Sequence, residues 1–298
     1  MARTSKFKKA LDNINSYLEN SERKVFTDAD LNRILIAKGR EWDLPETMSL
    51  YKFIDELVKY THLALIEIPA IGYPSYTSNN IKRFAYKEVS VYEIALSIKA
   101  NTYLSHYSSL FLLGLTEQLP KDVYVTFEQS EKRRQDNVIE QEAIDNAFAK
   151  PQREPSFYYQ YGEYRIMLLN GKFSKKAGVL RINSIFGKNL YVTNMERTLI
   201  DITVRPAYSG GVTEVLNAYK RAADKLSINK LASILFKLNF IYPYHQAIGF
   251  YLEKSEAYKD KQIDIMREKP KIYKFYLTYN MSDKEYSEEW CLFYPKNF

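Results

Sequence analysis

The spacing of apolar residues along the first 60 positions predicts three amphipathic helices. The first helix has an apolar stripe between residues 7 and 18, and the second begins at Thr27, whose hydroxyl can cap its first turn. The third has its apolar stripe between residues 50 and 58 and is capped by Thr47 or Ser49. Each stripe is wide enough to bury one side of its helix, so the three helices should share a small core.

Two strands are predicted after the third helix. Residues 63–68 and 81–86 have the apolar content of strands, and the segment between them is rich in Gly, Pro, Ser and Asn, which is typical of a loop. Three short helices followed by a β-hairpin is the element order of a winged helix-turn-helix. We therefore predict a winged-helix domain over residues 1–89.

A second domain is predicted over residues 90–298. It opens with a capping box, in which the Ser90 hydroxyl and the Glu93 carboxylate each satisfy an amide at a helix start. Helical and strand patterns then alternate to the end of the chain without an internal repeat. The predicted fold class is therefore α+β, a winged helix followed by a larger mixed domain.

One predicted helix of the second domain carries several charged residues. Thr193 and Glu196 form a second capping-box pattern, and Pro206 ends the helix. Arg197 is spaced to pair with Asp201 one turn later. Glu196 and Asp201 could in principle hold a metal ion, but they lie about 140° apart around the helix and do not face one another.

Composition indicates a folded protein. The 298 residues are 46% hydrophobic and 27% charged, and no apolar run approaches the roughly 18 residues that a membrane span needs. The N-terminus lacks the apolar segment of a secretory signal, so we expect a cytoplasmic protein with no membrane partner. With one cysteine, Cys291, and three scattered histidines, no structural metal is predicted. A net charge of +7 suits an anionic partner.

The third helix and the hairpin form the candidate DNA-binding surface. A helix that enters the major groove needs an apolar back and a small, polar or cationic front, and a hairpin can lie along the phosphate backbone. The residues predicted to contact DNA are Thr47, Ser49, Tyr51, Lys52, Lys59, Tyr76, Lys82 and Arg83. Residues 1–90 hold 14 Lys and Arg against 12 Asp and Glu, so a winged helix that contacts protein stays open as an alternative.

Common enzyme signatures are absent from the sequence. It contains no G-x-x-x-x-G-K-[ST] loop, no G-x-G-x-x-G turn and no G-x-S-x-G elbow. Ser105 next to His106 could be a nucleophile beside a base, but the sequence offers no third group to orient them. A packed, hydrogen-bonded histidine is the alternative. We predict no catalytic residues and no cofactor.

Two blocks of the second domain carry a family resemblance. Residues 90–126 contain a Ser-His-aromatic-Ser core, a Gly-Leu-Thr-Glu-Gln-x-Pro turn and an apolar strand. Residues 190–222 contain a Val-Thr-x-x-Glu-Arg-Thr-Leu-Ile-Asp helix, an Arg-Pro turn and a Gly-Gly-Val helix start. Both blocks resemble the C-terminal domain of AbiEi-type antitoxins, and the domain order agrees with that family. The long loop of the predicted hairpin departs from the family's shorter winged helices.

The resemblance implies a transcriptional regulator that is also the antitoxin of a type IV toxin–antitoxin pair in abortive phage infection. The winged helix would bind inverted repeats in double-stranded DNA upstream of its own operon. The second domain would neutralise a nucleotidyltransferase toxin without a stable complex. The residues of the two blocks that we predict to form the antitoxin surface are Ser105, His106, Glu117, Arg197, Asp201 and Arg205. The alternatives are a nucleic-acid-processing enzyme with a winged-helix targeting domain and a ligand-sensing regulator.

Overall fold

The computed structural model describes residues 5–72, 80–131 and 139–298, and the chain divides into two compact units. The first unit comprises residues 1–100, 156–166 and 182–190, and the second comprises residues 101–155, 167–181 and 191–298. The first unit therefore extends past Ser90 and takes in two later segments, whereas the sequence predicted a single boundary before Ser90. Two contacts within that unit account for the difference: Ala70 pairs with Tyr159, and the Tyr92 ring meets the Phe186 ring edge-on.

Short helices and strands alternate through the first unit. Its elements up to residue 100 are α1 (Lys6–Lys9), α2 (Leu11–Asn20), β1 (Val25–Phe26), α3 (Asp28–Lys38), α4 (Leu50–Tyr60), β2 (Leu63–Ile68), β3 (Ala70–Ile71), β4 (Ile81–Tyr86) and α5 (Val91–Ser97). Strands β1, β4 and β2 form an antiparallel sheet in that order. The hairpin predicted from sequence is thus completed by β1, a two-residue strand whose length is too short to produce an alternating pattern.

The helices of the first unit pack on one apolar core. Phe7 and Ile14 from the first two helices, Leu31 from α3, and Phe53 and Leu57 from α4 are all buried in it. These are the positions of the predicted apolar stripes, because a residue every three or four positions returns to the same helix face. The core fixes α4 by one side and leaves its other side at the surface.

Polar caps fix where these helices begin. The Thr27 hydroxyl accepts from the amide of Asp30, and the Asp30 carboxylate accepts from the amide of Thr27, which closes a capping box at α3. Ser90 and Glu93 form the predicted box at α5. At α4 the cap is Ser49. Each cap satisfies amides that a helix leaves unpaired in its first turn.

The second unit contains most of the helices. Residues 156–166 and 182–190, with the strand residues they contain, belong to the first unit. The elements after residue 100, in chain order, are β5 (Tyr103–Leu104), α6 (His106–Leu112), β6 (Asp122–Glu128), α7 (Gln141–Phe148), β7 (Tyr158–Tyr161), β8 (Tyr164–Gly171), β9 (Val179–Ser184), β10 (Gly187–Thr193), α8 (Met195–Val204), a 3-10 helix (Pro206–Ser209), α9 (Val212–Ala222), α10 (Ile228–Leu238), α11 (Tyr244–Lys254), α12 (Asp260–Arg267), β11 (Phe275–Tyr276), β12 (Lys284–Ser287) and β13 (Leu292–Pro295). Helices and strands are interspersed throughout, so the fold class is α+β.

Strand pairing in the second unit brings β10, the strand before α8, beside β5. The end of β8 is followed by β6, β5 and β10 in hydrogen-bonding order, with Val192 of β10 parallel to Leu104 of β5. A separate sheet has the order β11-β13-β12. Buried side chains from α8 to α11 form a large apolar core, in which Trp290 is completely buried. Helix α8 is buried on nearly all sides, including its charged residues.

The start of α8 differs from the predicted capping box. Asn194 is the cap, because its side chain accepts from the amide of Arg197. The Thr193 hydroxyl instead lies 2.8 Å from that of Thr198. Glu196 forms an ion pair with Lys230, at 3.0 Å, rather than reaching back to the cap. Either polar residue of the Thr-Asn pair can cap a helix, so the sequence pattern alone did not identify which one does.

Candidate functional site

The front of α4 presents the residues that the sequence assigned to DNA. Tyr51 is 84% exposed, and Thr47, Ser49 and Lys52 are exposed as well. The Ser49 hydroxyl accepts from the amide of Lys52 at 3.3 Å, which holds the first turn of the helix in place. The back of α4 is buried through Phe53. A buried back and an exposed polar front is the arrangement that a groove-binding helix requires.

Charges of both signs lie along this front. Lys52, Asp55 and Lys59 are all exposed. The Lys59 ammonium lies 5.2 Å from the centre of the Tyr60 ring, and the Lys8 ammonium lies 4.8 Å from the same ring. These cation–π contacts bring a lysine from α1 close to one from the end of α4. The face is therefore cationic at its end and mixed at its middle.

The hairpin contributes one exposed cation. Lys82 on β4 lies 3.5 Å from Glu67 on β2, and both side chains are largely exposed. An exposed ion pair of this kind is worth at most about 1 kcal/mol, so Lys82 can exchange its partner for a phosphate. Tyr76, which belongs to the loop of the predicted hairpin, lies outside the described residues.

Arg83 has a different role from the predicted phosphate contact. Its Nε donates to the carbonyl of Ser97 at 2.8 Å, and its Nη2 donates to the carbonyl of Ile98 at 2.8 Å. Its Nη1 donates to the carbonyl of Lys82 at 2.6 Å. Burial lowers the pKa of Arg83. The guanidinium thus satisfies carbonyls at the end of α5, where a helix leaves them unpaired, and is bound within the first unit.

Single replacements of Arg83 and Lys82 should have different effects, one on protein stability and the other on DNA binding. We expect Arg83→Ala to lower the free energy of unfolding by about 1–3 kcal/mol, because carbonyls of α5 lose their donor. We expect Lys82→Ala to change stability by less than about 0.5 kcal/mol. Lys82→Ala should instead reduce the salt dependence of DNA binding by about 0.9 in slope if it contacts one phosphate. Urea unfolding and binding at several salt concentrations measure both quantities. An Arg83→Ala protein of full stability and reduced slope would contradict this assignment.

In the second unit, Arg197 and Asp201 form the predicted ion pair. The Arg197 Nε donates to the Asp201 Oδ1 at 2.7 Å, and both side chains are buried. The Arg197 Nη1 also donates to the carbonyl of Ala177 at 3.0 Å and to the hydroxyl of Ser174 at 3.3 Å. A buried ion pair is tolerated only when its remaining donors are satisfied, and the contacts with Ala177 and Ser174 satisfy the Nη1 donor of Arg197.

A second carboxylate, Glu128, extends this network and was missed from the sequence. It accepts from the amide of Ser174 at 3.0 Å, from the amide of Lys176 at 3.1 Å, and from the Ser174 hydroxyl. Burial alone would raise the pKa of Glu128, but these hydrogen bonds and the charge of Arg197 hold it below its usual value. Its partners are more than 40 positions away in the sequence, so no local pattern could reveal them.

Ser105 and His106 lie at the start of α6 and are both buried. The Ser105 Oγ lies 2.9 Å from the His106 Nδ1 and 2.7 Å from the Thr126 Oγ1. His106 has a positive φ of 50°, a conformation that non-glycine residues adopt rarely and that concentrates at functional sites. Burial lowers the pKa of His106 to about 4, with Arg197 and Arg205 acting in the same direction and Asp201 against it. The imidazole is therefore neutral near pH 7.

An aromatic wall flanks His106. Its ring meets that of Tyr208 edge-on, with centres 5.4 Å apart, and Tyr208 stacks on Tyr124 at 5.2 Å. Arg205, at the end of α8, is half-buried and close enough for its charge to act on both His106 and Tyr208. The charges of Arg197, Asp201 and Arg205 all act on His106, which contacts Ser105, so five of the six residues predicted as the antitoxin surface lie in one region, which we call the α6–α8 cluster: Ser105, His106, Arg197, Asp201 and Arg205.

The sixth residue, Glu117, is placed differently. It is exposed on the loop after α6 and lies 3.7 Å from Arg221. Most of the α6–α8 cluster is buried, so only Arg205 offers a charged group at the surface of that cluster. Of the residues predicted to form the antitoxin surface, Ser105, His106, Arg197 and Asp201 are therefore buried, Arg205 is half-buried and Glu117 is exposed.

The carboxylates of α8 are both occupied by cations. Asp201 is paired with Arg197, and Glu196 with Lys230. In the described part of the chain, no group of three or more His, Cys, Asp or Glu side chains could hold a metal ion. An open groove of about 880 Å³ lies between α2 and α3, and none of the predicted site residues lines it. Across the described ranges, no helix has the length and apolar content to cross a membrane.

Comparison with known proteins identifies a fold relative. No family model matches the sequence, and no curated protein matches it significantly. Among solved structures, the chain is similar to the crystal structure of the RV2827C protein from Mycobacterium tuberculosis, with a TM-score of 0.56 and 13% sequence identity. The similarity covers 96% of this chain and 91% of that one. At this identity the likeness concerns the fold, which the two chains share over nearly their whole length.

Proposed function

We propose that this protein is a DNA-binding transcriptional repressor whose first unit contains a winged helix. The observation that carries the proposal is the exposed polar front of α4, from Ser49 to Lys59, opposite a back on which Phe53 and Leu57 are buried. The sheet order β1-β4-β2 after α3 and α4 supplies the hairpin that would contact the phosphate backbone. The DNA-binding residues are Ser49, Tyr51, Lys52, Lys59 and Lys82, with Thr47 beside the cap, and Arg83 holds the hairpin to α5.

We infer a second role, as the antitoxin of a type IV toxin–antitoxin pair, from the resemblance to AbiEi-type antitoxins. The support is that Arg197, Asp201 and Arg205 of the second block lie close enough for their charges to act on His106 of the first block, which is about 100 positions away in sequence. The proposed partners are inverted repeats in the protein's own promoter and, functionally, a nucleotidyltransferase toxin in the cytoplasm. Neither role needs a catalytic step.

Tyr51 should determine sequence choice more than affinity. The first turn of a recognition helix enters the groove first, and Tyr51 is 84% exposed there. We expect Tyr51→Ala, in the full-length chain, to reduce discrimination between promoter and random DNA by about tenfold while binding to random DNA changes little. Competition gel shifts with both DNAs measure this ratio. Equal losses on the two DNAs would assign Tyr51 to backbone contact or packing.

Repression and antitoxicity should be separable in the full-length chain. Because the first unit includes residues 156–166 and 182–190, a truncation near Ser90 would remove part of it. A Lys52→Ala, Lys59→Ala double variant avoids this difficulty. Expressed from an unrelated promoter, it should still restore growth to cells producing the cognate toxin, whereas it should not repress its own promoter. The antitoxin assignment to the second unit fails if this variant loses both activities while it remains folded.

A further inference from the structure

Arg205 differs from three other arginines of the second unit, all of which lie within 4 Å of a carboxylate. Arg197 pairs with Asp201, Arg221 lies near Glu117 and Glu214, and Arg267 contacts several carboxylates. Arg205 is half-buried, yet among the described residues no carboxylate lies within 4.0 Å of it. A guanidinium removed from water without an anionic partner loses hydration that nothing replaces. Such a group is expected where a ligand supplies the anion.

The side chain in contact with the Arg205 guanidinium is neutral and aromatic. Its guanidinium carbon lies 5.6 Å from the centre of the Tyr279 ring, and its Nη1 is 3.4 Å from the Tyr279 hydroxyl, at the limit of a hydrogen bond. His106, which is neutral near pH 7, and Tyr208 lie within the reach of its charge. One face of Tyr279 is stacked on Phe148, with ring centres 4.3 Å apart. The contacts with Tyr279 orient the guanidinium but do not neutralise its positive charge.

A buried amide lies near the Tyr208 hydroxyl. The Tyr208 hydroxyl donates to the carbonyl of Arg153 at 2.6 Å, and the neighbouring Gln152 side chain acts on that hydroxyl although neither of its amide atoms has a hydrogen-bond partner within 3.5 Å. Buried amides are nearly always satisfied, so this one is also suited to a ligand. Tyr208 is half-buried, which leaves part of its ring at the surface.

We propose that Arg205 binds the phosphate of a nucleotide whose base contacts the aromatic wall at Tyr208. A guanidinium matches a phosphate with two parallel hydrogen bonds, and an aromatic ring accepts the face of a base. The proposal does not rest on DNA binding or on toxin neutralisation, since both can fail while the purified protein still binds a nucleotide.

Calorimetric titration of the purified full-length chain tests this site. The probes are ATP, GTP, CTP and UTP, with inorganic phosphate and adenosine as fragments. We expect at least one triphosphate to bind about tenfold or more tightly than either fragment. Arg205→Gln should weaken that binding by about tenfold or more. Lys220→Gln, which removes an exposed cation elsewhere in the unit, should leave it unchanged.

Two further variants keep the proposal falsifiable. Tyr208→Leu should weaken triphosphate binding but not phosphate binding, because it removes the ring and not the cation. If Arg205→Gln lowers the unfolding temperature, Arg205→Lys replaces it, and binding should then be weaker than wild type because the planar fork is lost. The proposal is overturned if no triphosphate binds at millimolar concentration, if phosphate alone binds as tightly, or if Lys220→Gln weakens binding as much as the Arg205 variant.

Discussion

Replacing Asp201 with asparagine should destabilise the protein by about 3–5 kcal/mol, because it leaves the Arg197 guanidinium buried without its counter-charge. The Nε–Oδ1 distance is 2.7 Å and both side chains are at least nine-tenths buried, so water cannot replace the lost carboxylate. Asparagine keeps the volume, which limits the effect of a cavity. Urea unfolding at pH 7 measures the change in the free energy of unfolding.

A double-mutant cycle shows whether the loss belongs to the pair. We expect Arg197→Met combined with Asp201→Leu to cost less than the sum of the two single replacements, since no isolated charge then remains buried. As a matched control, Asp224→Asn changes an exposed carboxylate and should alter stability by less than about 0.5 kcal/mol. Additive losses in the cycle would show that Arg197 and Asp201 are not coupled.

The protein should lose about 3 kcal/mol of stability between pH 7 and pH 4 through His106 alone. Its pKa is lowered to about 4 in the folded state, from an unfolded value of 6.5, so the unfolded chain binds the proton more tightly. The contribution to stability is therefore complete above pH 6.5 and decreases as the pH falls toward 4. Arg197 and Arg205 strengthen this effect, because a protonated imidazole beside them would be repelled.

Comparison with His106→Asn isolates the histidine. Asparagine tolerates the positive φ at this position and does not titrate in the range. Glu128 and Asp30, whose pKa values are lowered, also lose stabilising charge in acid, and they do so in both proteins. The pH dependence of wild type should thus exceed that of the variant by about 3 kcal/mol. Identical pH profiles would mean that His106 is not held neutral by burial.

Longer periodic elements of this fold could be predicted from the sequence. The helices α3, α4, α9 and α10 have one buried face each, so their apolar spacing identifies them. The two-residue strands β1, β3 and β5 could not be predicted, since two positions carry no alternation. Strand β11 is limited to Phe275–Tyr276, because only these two residues pair with β13.

The features of the candidate sites that lie within one helix could also be predicted from the sequence, whereas those that depend on contacts between elements could not. The exposure of Tyr51 and Lys52 follows from helical periodicity and could be predicted. The role of Arg83 could not, because its partners are backbone carbonyls near the end of α5, which have no sequence signal. The Arg197–Asp201 pair is one turn apart and was found, whereas Glu128 joins the network only through the fold. Local spacing thus identified pairs within one helix but not contacts between elements.

The repressor proposal is tested most directly by promoter binding of a charge-reversed α4. Lys52→Glu with Lys59→Glu places two acidic side chains on the exposed front, and Lys220→Glu with Lys237→Glu makes the same change in net charge on exposed positions of the second unit. Gel shifts with the full-length chain and its own promoter, at constant salt, compare the two proteins. We predict that the α4 variant loses promoter binding by about 100-fold or more, as expected when two phosphate contacts become repulsive, and that the control variant binds within about threefold of wild type. Equal binding by the α4 variant and wild type, or an equal loss in the control, would contradict DNA recognition by this helix.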